Sequence, residues 1–388
     1  MLYIKVVAEA AMKDKYLKQI RNGLFVILAI GILTICKVTS SVSINLILSV
    51  FIFLMMLPFV TALERIHVKG FIATLIAILL IIIIVTGVVW FILYTVNQLI
   101  GIIPSYTHRI NFLDAYLMNV ISHLRDVEDA DSIAKLFNID WASTLMPILR
   151  SVSASAIQIA KNAVVTILLA VFLLLERHTI VPKLTAVSQN KDNPEKVSMM
   201  LDRINRQVSK YLGTKFVLSL ITGVLFYGIA LVAKLDLAFL WGVLAVLLNF
   251  IPTFGSIIVT AITILMAVLQ FLPNWTPILI VAAGTIATQM IIGNILDPRV
   301  QGNQLNLSPF VILVSLSIFG YVWGIVGMFL AVPIISILQI VFANMDSTRG
   351  IAIMMSSGSS LKRRMKAENR GRKQVEYDDV LFPQEKTT

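Results

Sequence analysis

The chain has 388 residues, of which 58% are hydrophobic and only 14% charged, and its mean hydropathy is +0.88. That balance excludes an ordinary soluble domain and requires a membrane as solvent. A formal net charge of +11 on so oily a chain places its cations in the connections between apolar blocks, and the single cysteine, Cys36, excludes an intrachain disulfide.

In chain order, the apolar windows that approach the roughly 20 residues needed to span hydrocarbon are 22–36, 44–63, 71–96, 155–175 and 216–233. Three longer blocks follow, at 237–272, 276–296 and 309–343. The spacing predicts an all-α, polytopic integral membrane protein of about eight membrane elements. It divides into three N-terminal spans (1–96), an extracytoplasmic amphipathic helical region (97–154), a fourth span (155–175), a cytoplasmic amphipathic helix (176–215), an apolar core with two helical hairpins (216–345) and a basic tail (346–388) expected to be disordered. Lys and Arg accumulate on the cytoplasmic side, and with both termini cytoplasmic that side collects 25 of the 32 basic residues. The orientation closes if 237–272 enters and leaves from outside and 309–343 enters and leaves from inside, which makes two hairpins of opposite orientation.

Each hairpin block carries a helix breaker. In "NFIPTFG", Asn249 precedes Pro252, Thr253 and Gly255; in "FGYVWG", Trp323 and Gly324 interrupt the last block. Bare backbone at membrane depth survives only inside protein or beside a watery cavity, and paired broken helices point to a transporter's substrate site. A tight turn with ordinary kinks explains either break taken alone equally well. Between the breaks, Thr285 and Gln289 share a helix face with Gly293, and Asn294 and Asp297 follow; the face suits a solute path or, equally, helix packing. Asp297 before Pro298 reads as the anchor of a turn, its carboxylate accepting from following amides.

Arg203, Arg206 and Lys210 are spaced three and four apart on the cytoplasmic helix, and suit anionic headgroups or an anionic solute waiting to enter. The tail "KRRMKAENRGRK", with 7 basic residues against one Glu, is expected to meet anionic lipid rather than nucleic acid, for which no reader domain is present. No phosphate-binding loop, zinc-protease helix or nucleophile elbow occurs, and no metal or cofactor spacing; the chain reads as a non-enzyme.

The second half resembles the autoinducer-2 exporter (AI-2E) family in a combination of motifs: Asn249, Ile251, Pro252 and Gly255; Asp297, Pro298 and Gly302; Leu307 and Pro309; and Trp323, Gly324, Gly327 and Met328 with Ala331, Val332 and Pro333. Where the family often carries a further basic residue and a histidine, this chain has Asn303, Gln304 and Ser308. The resemblance implies a multi-pass bacterial inner-membrane exporter, homo-oligomeric, whose opposed hairpins move as a carrier against a scaffold. Relatives are described as exporting autoinducer-2 or as exchanging sodium or lithium for protons. A neutral, hydroxyl-rich solute suits the charge-poor interior and ranks ahead of cation/proton antiport, for which Asp297 would be the titrating group, and of a non-transporting scaffold.

Overall fold

The computed structural model describes residues 20, 23–24, 26–123, 141–187, 194–301, 305–345 and 348–358. Among these the chain is helical nearly throughout and has no strand, only one isolated bridge. Six of the described helices are long and apolar enough to cross a membrane. Their lipid-ward faces expose large apolar side chains, Leu79, Trp90, Leu168, Val224, Leu265 and Leu279 among them. In hydrocarbon such exposure carries no penalty, so small residues and hydrogen bonds, not burial, select the helix pairs.

A short α1 (Val26–Val38) turns at Thr39 into α2 (Ser40–Arg65). Next, α3 (Gly70–His123) runs 54 residues without a break, so residues 97–123 continue the third span instead of forming a separate element. Residues 124–140, the rest of the acidic half of that region, lie outside the described residues. α4 (Trp141–Leu175), apolar over Ala160–Leu175, packs beside α2 and α3, and α5 (Arg177–Val187) follows it. Helices α2, α3 and α4 form one unit around Met56, Val60, Ala73, Ala77, Ile81 and Leu174. At one end Arg177 clamps it: its guanidinium pairs with Glu64 of α2 and donates to Thr74 Oγ1 of α3 at 2.8 Å.

The cytoplasmic amphipathic helix and the next span are one helix, α6 (Pro194–Ala233), and the expected boundary at 215/216 falls inside it. It crosses α7 (Ala238–Asn249) at paired glycines. A Cβ on Gly223 would come within 2.7 Å of the Gly242 carbonyl oxygen, and one on Gly242 within 3.0 Å of Gly223's. Only residues without a side chain allow backbones so close. After the break come α8 (Phe254–Phe271) and α9 (Trp275–Ile291), then a π-helical turn (Ile292–Leu296) and α10 (Asp297–Gln301).

The last apolar block is α11 (Pro309–Ala343), helical by hydrogen bonding but folded at Gly324, whose φ of 63° and ψ of −140° no helix contains. Its arms, 309–323 and 325–343, lie against each other: a Cβ on Gly320 would meet Met328 Cγ at 2.9 Å. A short α12 (Arg349–Met355) then closes back on the start of α11, where Ser308 N donates to the Met355 carbonyl and Ser357 Oγ to Asn306 Oδ1, both at 2.8 Å. Part of the tail expected to be disordered, 348–358, is instead folded chain, because Ala352 and Met355 are apolar and bury against α11 and the 305–308 segment. The polybasic stretch beyond 358 lies outside the described residues.

Candidate functional site

Both expected breaks are present, and they close in the same manner. In the first, the Phe254 amide donates to the Pro252 carbonyl at 2.7 Å, a γ-turn centred on Thr253 at φ 64°, ψ −56°. That conformation is strained for any residue but glycine. Gly255 then presses on the preceding arm, where a Cβ would land on the Leu248 carbonyl oxygen. In the second, Gly324 makes the turn and Gly327 presses on the Phe319 carbonyl in the same way.

Asn249, 3% exposed, ties the first hairpin together and to its neighbour. Its Nδ2 donates to Ser219 Oγ of α6 at 3.1 Å, and its Oδ1 accepts from Ser256 Oγ at 3.3 Å. The tip then reaches the second hairpin: Ile251 buries among Leu316, Phe319, Val322, Trp323 and Ala331, and the Phe250 and Phe329 rings are 4.7 Å apart. Trp323 is buried and stacked on Phe319. Its Nε1 donates to the Cys36 carbonyl at 3.2 Å and to Ser43 Oγ at 3.0 Å, fastening the second tip to the α1–α2 turn. Lys37 of that turn lies over the Tyr321 ring, its Nζ 3.1 Å from the centroid. Pro333 is buried in the second arm.

The sequence reading missed one residue with a large effect on the site. Lys215, counted above among cytoplasmic cations, is buried on α6 with its side chain 3% exposed, and its Nζ donates to Asp297 Oδ2 at 2.7 Å. Asp297 is thus paired across two helices, whereas the sequence suggests a local turn anchor. The available signal was the four-residue spacing of Tyr211, Lys215 and Ser219, all buried and all on the face of α6 that meets the hairpins. One turn of π-helix just before Asp297 delivers the carboxylate to that face, a feature frequent at functional sites.

The remaining candidates separate. Thr285 and Thr288 are buried but spend their hydroxyls on the carbonyls of Val281 and Gly284 in their own helix, at 2.7 and 2.8 Å. Gln289 is different, with both amide atoms buried and without a hydrogen-bond partner among the described residues. Asn294 is exposed on the π-turn, Pro298 lies in the first turn of α10, and Gly302 and Asn303 lie outside the described residues. Arg206 is exposed and pairs with Asp202 one turn back, Lys210 is exposed beside it, and Arg203 is half-buried. An apolar cavity of about 690 Å³ between α3 and α4, lined by Val85, Val89, Trp90, Ala163, Ile167 and Val171, includes none of these polar groups and has the character of a lipid-facing groove.

Two broken helical hairpins that meet at their tips, with a buried asparagine at the first break and a buried ion pair on the neighbouring helices, are features of a polytopic membrane transporter. The model of the AI-2E family transporters matches residues 24–347, and the chain belongs to that family. A putative transport protein of Borreliella burgdorferi is 31% identical over 269 residues, 69% of this chain and 72% of its own. The AI-2 transport protein TqsA of Escherichia coli is 30% identical over 342 residues, covering 86% of this chain and 96% of its own, and a putative transport protein of Haemophilus influenzae is 29% identical over 347 residues. The chain is a multi-pass bacterial inner-membrane protein.

Proposed function

We propose that this transporter exports a small, uncharged, hydrogen-bonding solute, with autoinducer-2 the first candidate, by moving its two hairpins as a carrier against the α2–α4 unit. One observation carries the reading: the carboxylate best placed to bind a cation, Asp297, is held by the Lys215 ammonium at 2.7 Å. The pair is neutral as a unit, and the polar groups at the first break, Ser219, Asn249 and Ser256, with Gln289 on α9, are hydroxyls and amides that recognise a neutral molecule. The name of the Escherichia coli relative supports the same solute class. The exposed Arg206 and Lys210, with the polybasic tail, would hold the cytoplasmic face to anionic lipid.

A second reading, cation/proton exchange, is favoured by the burial of Lys215 itself. In that reading a cation takes the place of the Lys215 ammonium on the Asp297 carboxylate. Flux of autoinducer-2 and of sodium, measured in parallel in proteoliposomes with and without a proton gradient, separates the two. Autoinducer-2 flux without sodium movement supports export; sodium/proton exchange without solute flux overturns it.

A further inference from the structure

The polar residues of α9 fall into two kinds. Thr285 and Thr288 are satisfied by their own helix, as the hydroxyls of Thr222 and Thr263 are on α6 and α8. Gln289 cannot do the same, and both its Nε2 and its Oε1 are shielded from solvent with no partner among the described residues. An amide brings two donors and a two-lone-pair acceptor, and burying them unmet is among the most unfavourable arrangements a side chain adopts. Thr260 Oγ1, on the adjoining helix α8, is the same kind of group: buried and unmet. Counted along the helices from the α8–α9 turn, Thr260 and Gln289 differ in depth by about one helical turn.

Two fixed points, Lys215 with Asp297 and Ile229 with Gly284, set an antiparallel register of α6 on α9 that brings Gln289 level with Gly223, whose bare face is filled by Val246 and Gly242 of α7, so the open side of Gln289 is the next turn of its own helix. One turn towards Asp297 lies Gly293, where an added Cβ would find only Gln289 Oε1 within reach, at 3.7 Å, and the π-turn begins beside it.

We infer that Gln289, with Thr260, forms a hydrogen-bonding subsite for a neutral solute that carries a hydroxyl donor next to a carbonyl or hydroxyl acceptor. The subsite rests on the export reading. It satisfies the amide only when solute is bound, so binding and folding make opposite demands on this residue. The test is Gln289→Leu in the full chain, with proteoliposome flux of autoinducer-2 and the melting midpoint measured together. The half-saturation concentration should rise at least about tenfold, while the midpoint stays level or rises because an unmet amide has been replaced by an apolar group of similar size. Thr260→Val should move both readings in the same directions by less. An unchanged half-saturation concentration, or a midpoint that falls in step with flux, overturns the subsite and leaves export standing. Absence of autoinducer-2 flux in the unsubstituted protein overturns the export reading and the subsite with it.

Discussion

Lys215 and Asp297 stand 82 positions apart in the chain and meet at 2.7 Å, the lysine almost wholly buried and the aspartate partly so. A pair in this setting contributes little net stability, but removing one member strands the other charge. Asp297→Ala should lower stability by about 3 kcal/mol and reduce membrane abundance. Asp297→Asn, which a turn-anchoring role would tolerate, should lose nearly as much, since the amide leaves the Lys215 ammonium uncompensated. The double variant Lys215→Met, Asp297→Leu should recover most of the loss in thermal melting, because both charges leave together. A double variant no more stable than Asp297→Ala would show that the pairing does not govern folding.

The two hairpin turns make a graded series. At Gly324 a Cβ meets nothing within 4 Å, so Gly324→Ala adds only backbone strain, about 1–3 kcal/mol. At Gly255 and Gly327 the Cβ lands on a carbonyl oxygen of the opposite arm, and Gly255→Ala and Gly327→Ala should abolish folded protein in size-exclusion profiles. Thr253 already bears the positive φ of its turn, so Thr253→Gly should raise the melting midpoint, by about 1 kcal/mol of relieved strain. Pro252→Ala should keep the break, which the Thr253 turn and the Gly255 contact maintain without the proline.

Trp323 holds the second hairpin to the α1–α2 turn through its indole N–H. Trp323→Phe keeps the stacking on Phe319 but gives up both hydrogen bonds, a loss of about 1–2 kcal/mol. Cys36, the chain's only cysteine, supplies the accepting carbonyl, so the rate of its modification by a maleimide reports the loosening directly. That rate should rise severalfold in Trp323→Phe and also in Ser43→Ala, which removes the Ser43 Oγ bond to the Cys36 carbonyl at 2.8 Å together with the one Ser43 accepts from Trp323. Equal rates in all three proteins would refute the latch.

Glu64, Thr74 and Arg177 join α2, α3 and the start of α5 at one end of the α2–α4 unit, over the backbone of Gly70. A Cβ on Gly70 would meet Arg177 Nη2 at 2.9 Å and crowd the Glu64 carboxylate. Gly70→Ala and Arg177→Met should each lower the melting midpoint. If the proposed export holds, flux through the surviving folded protein should keep its half-saturation concentration, since this clamp shares no contact with the hairpin breaks among those described. A changed half-saturation concentration would place this clamp in the solute path.

Hydropathy, the proline and glycine breaks and the terminal charges are properties of short stretches of chain, and a bilayer acts on them locally. For that reason the membrane class, the series of spans and both hairpin breaks at 249–255 and 319–324 are legible in the sequence. The family motifs gather around the same breaks, since strained backbone restricts which residues fit. Partnerships between helices are another matter. Lys215 is an ordinary cytoplasmic cation until α6 and the π-turn bring it to Asp297, and Trp323 marks a break in its helix but shows no partner until the fold sets it 3.0 Å from Ser43, 280 positions away. Thr285 and Gln289 look alike on one face of α9, yet a threonine hydroxyl can reach its own helix's carbonyl, while a glutamine amide depends on what the neighbouring helices present. Only the tertiary structure decides that, because the pattern along a helix states which side is polar and not what stands opposite.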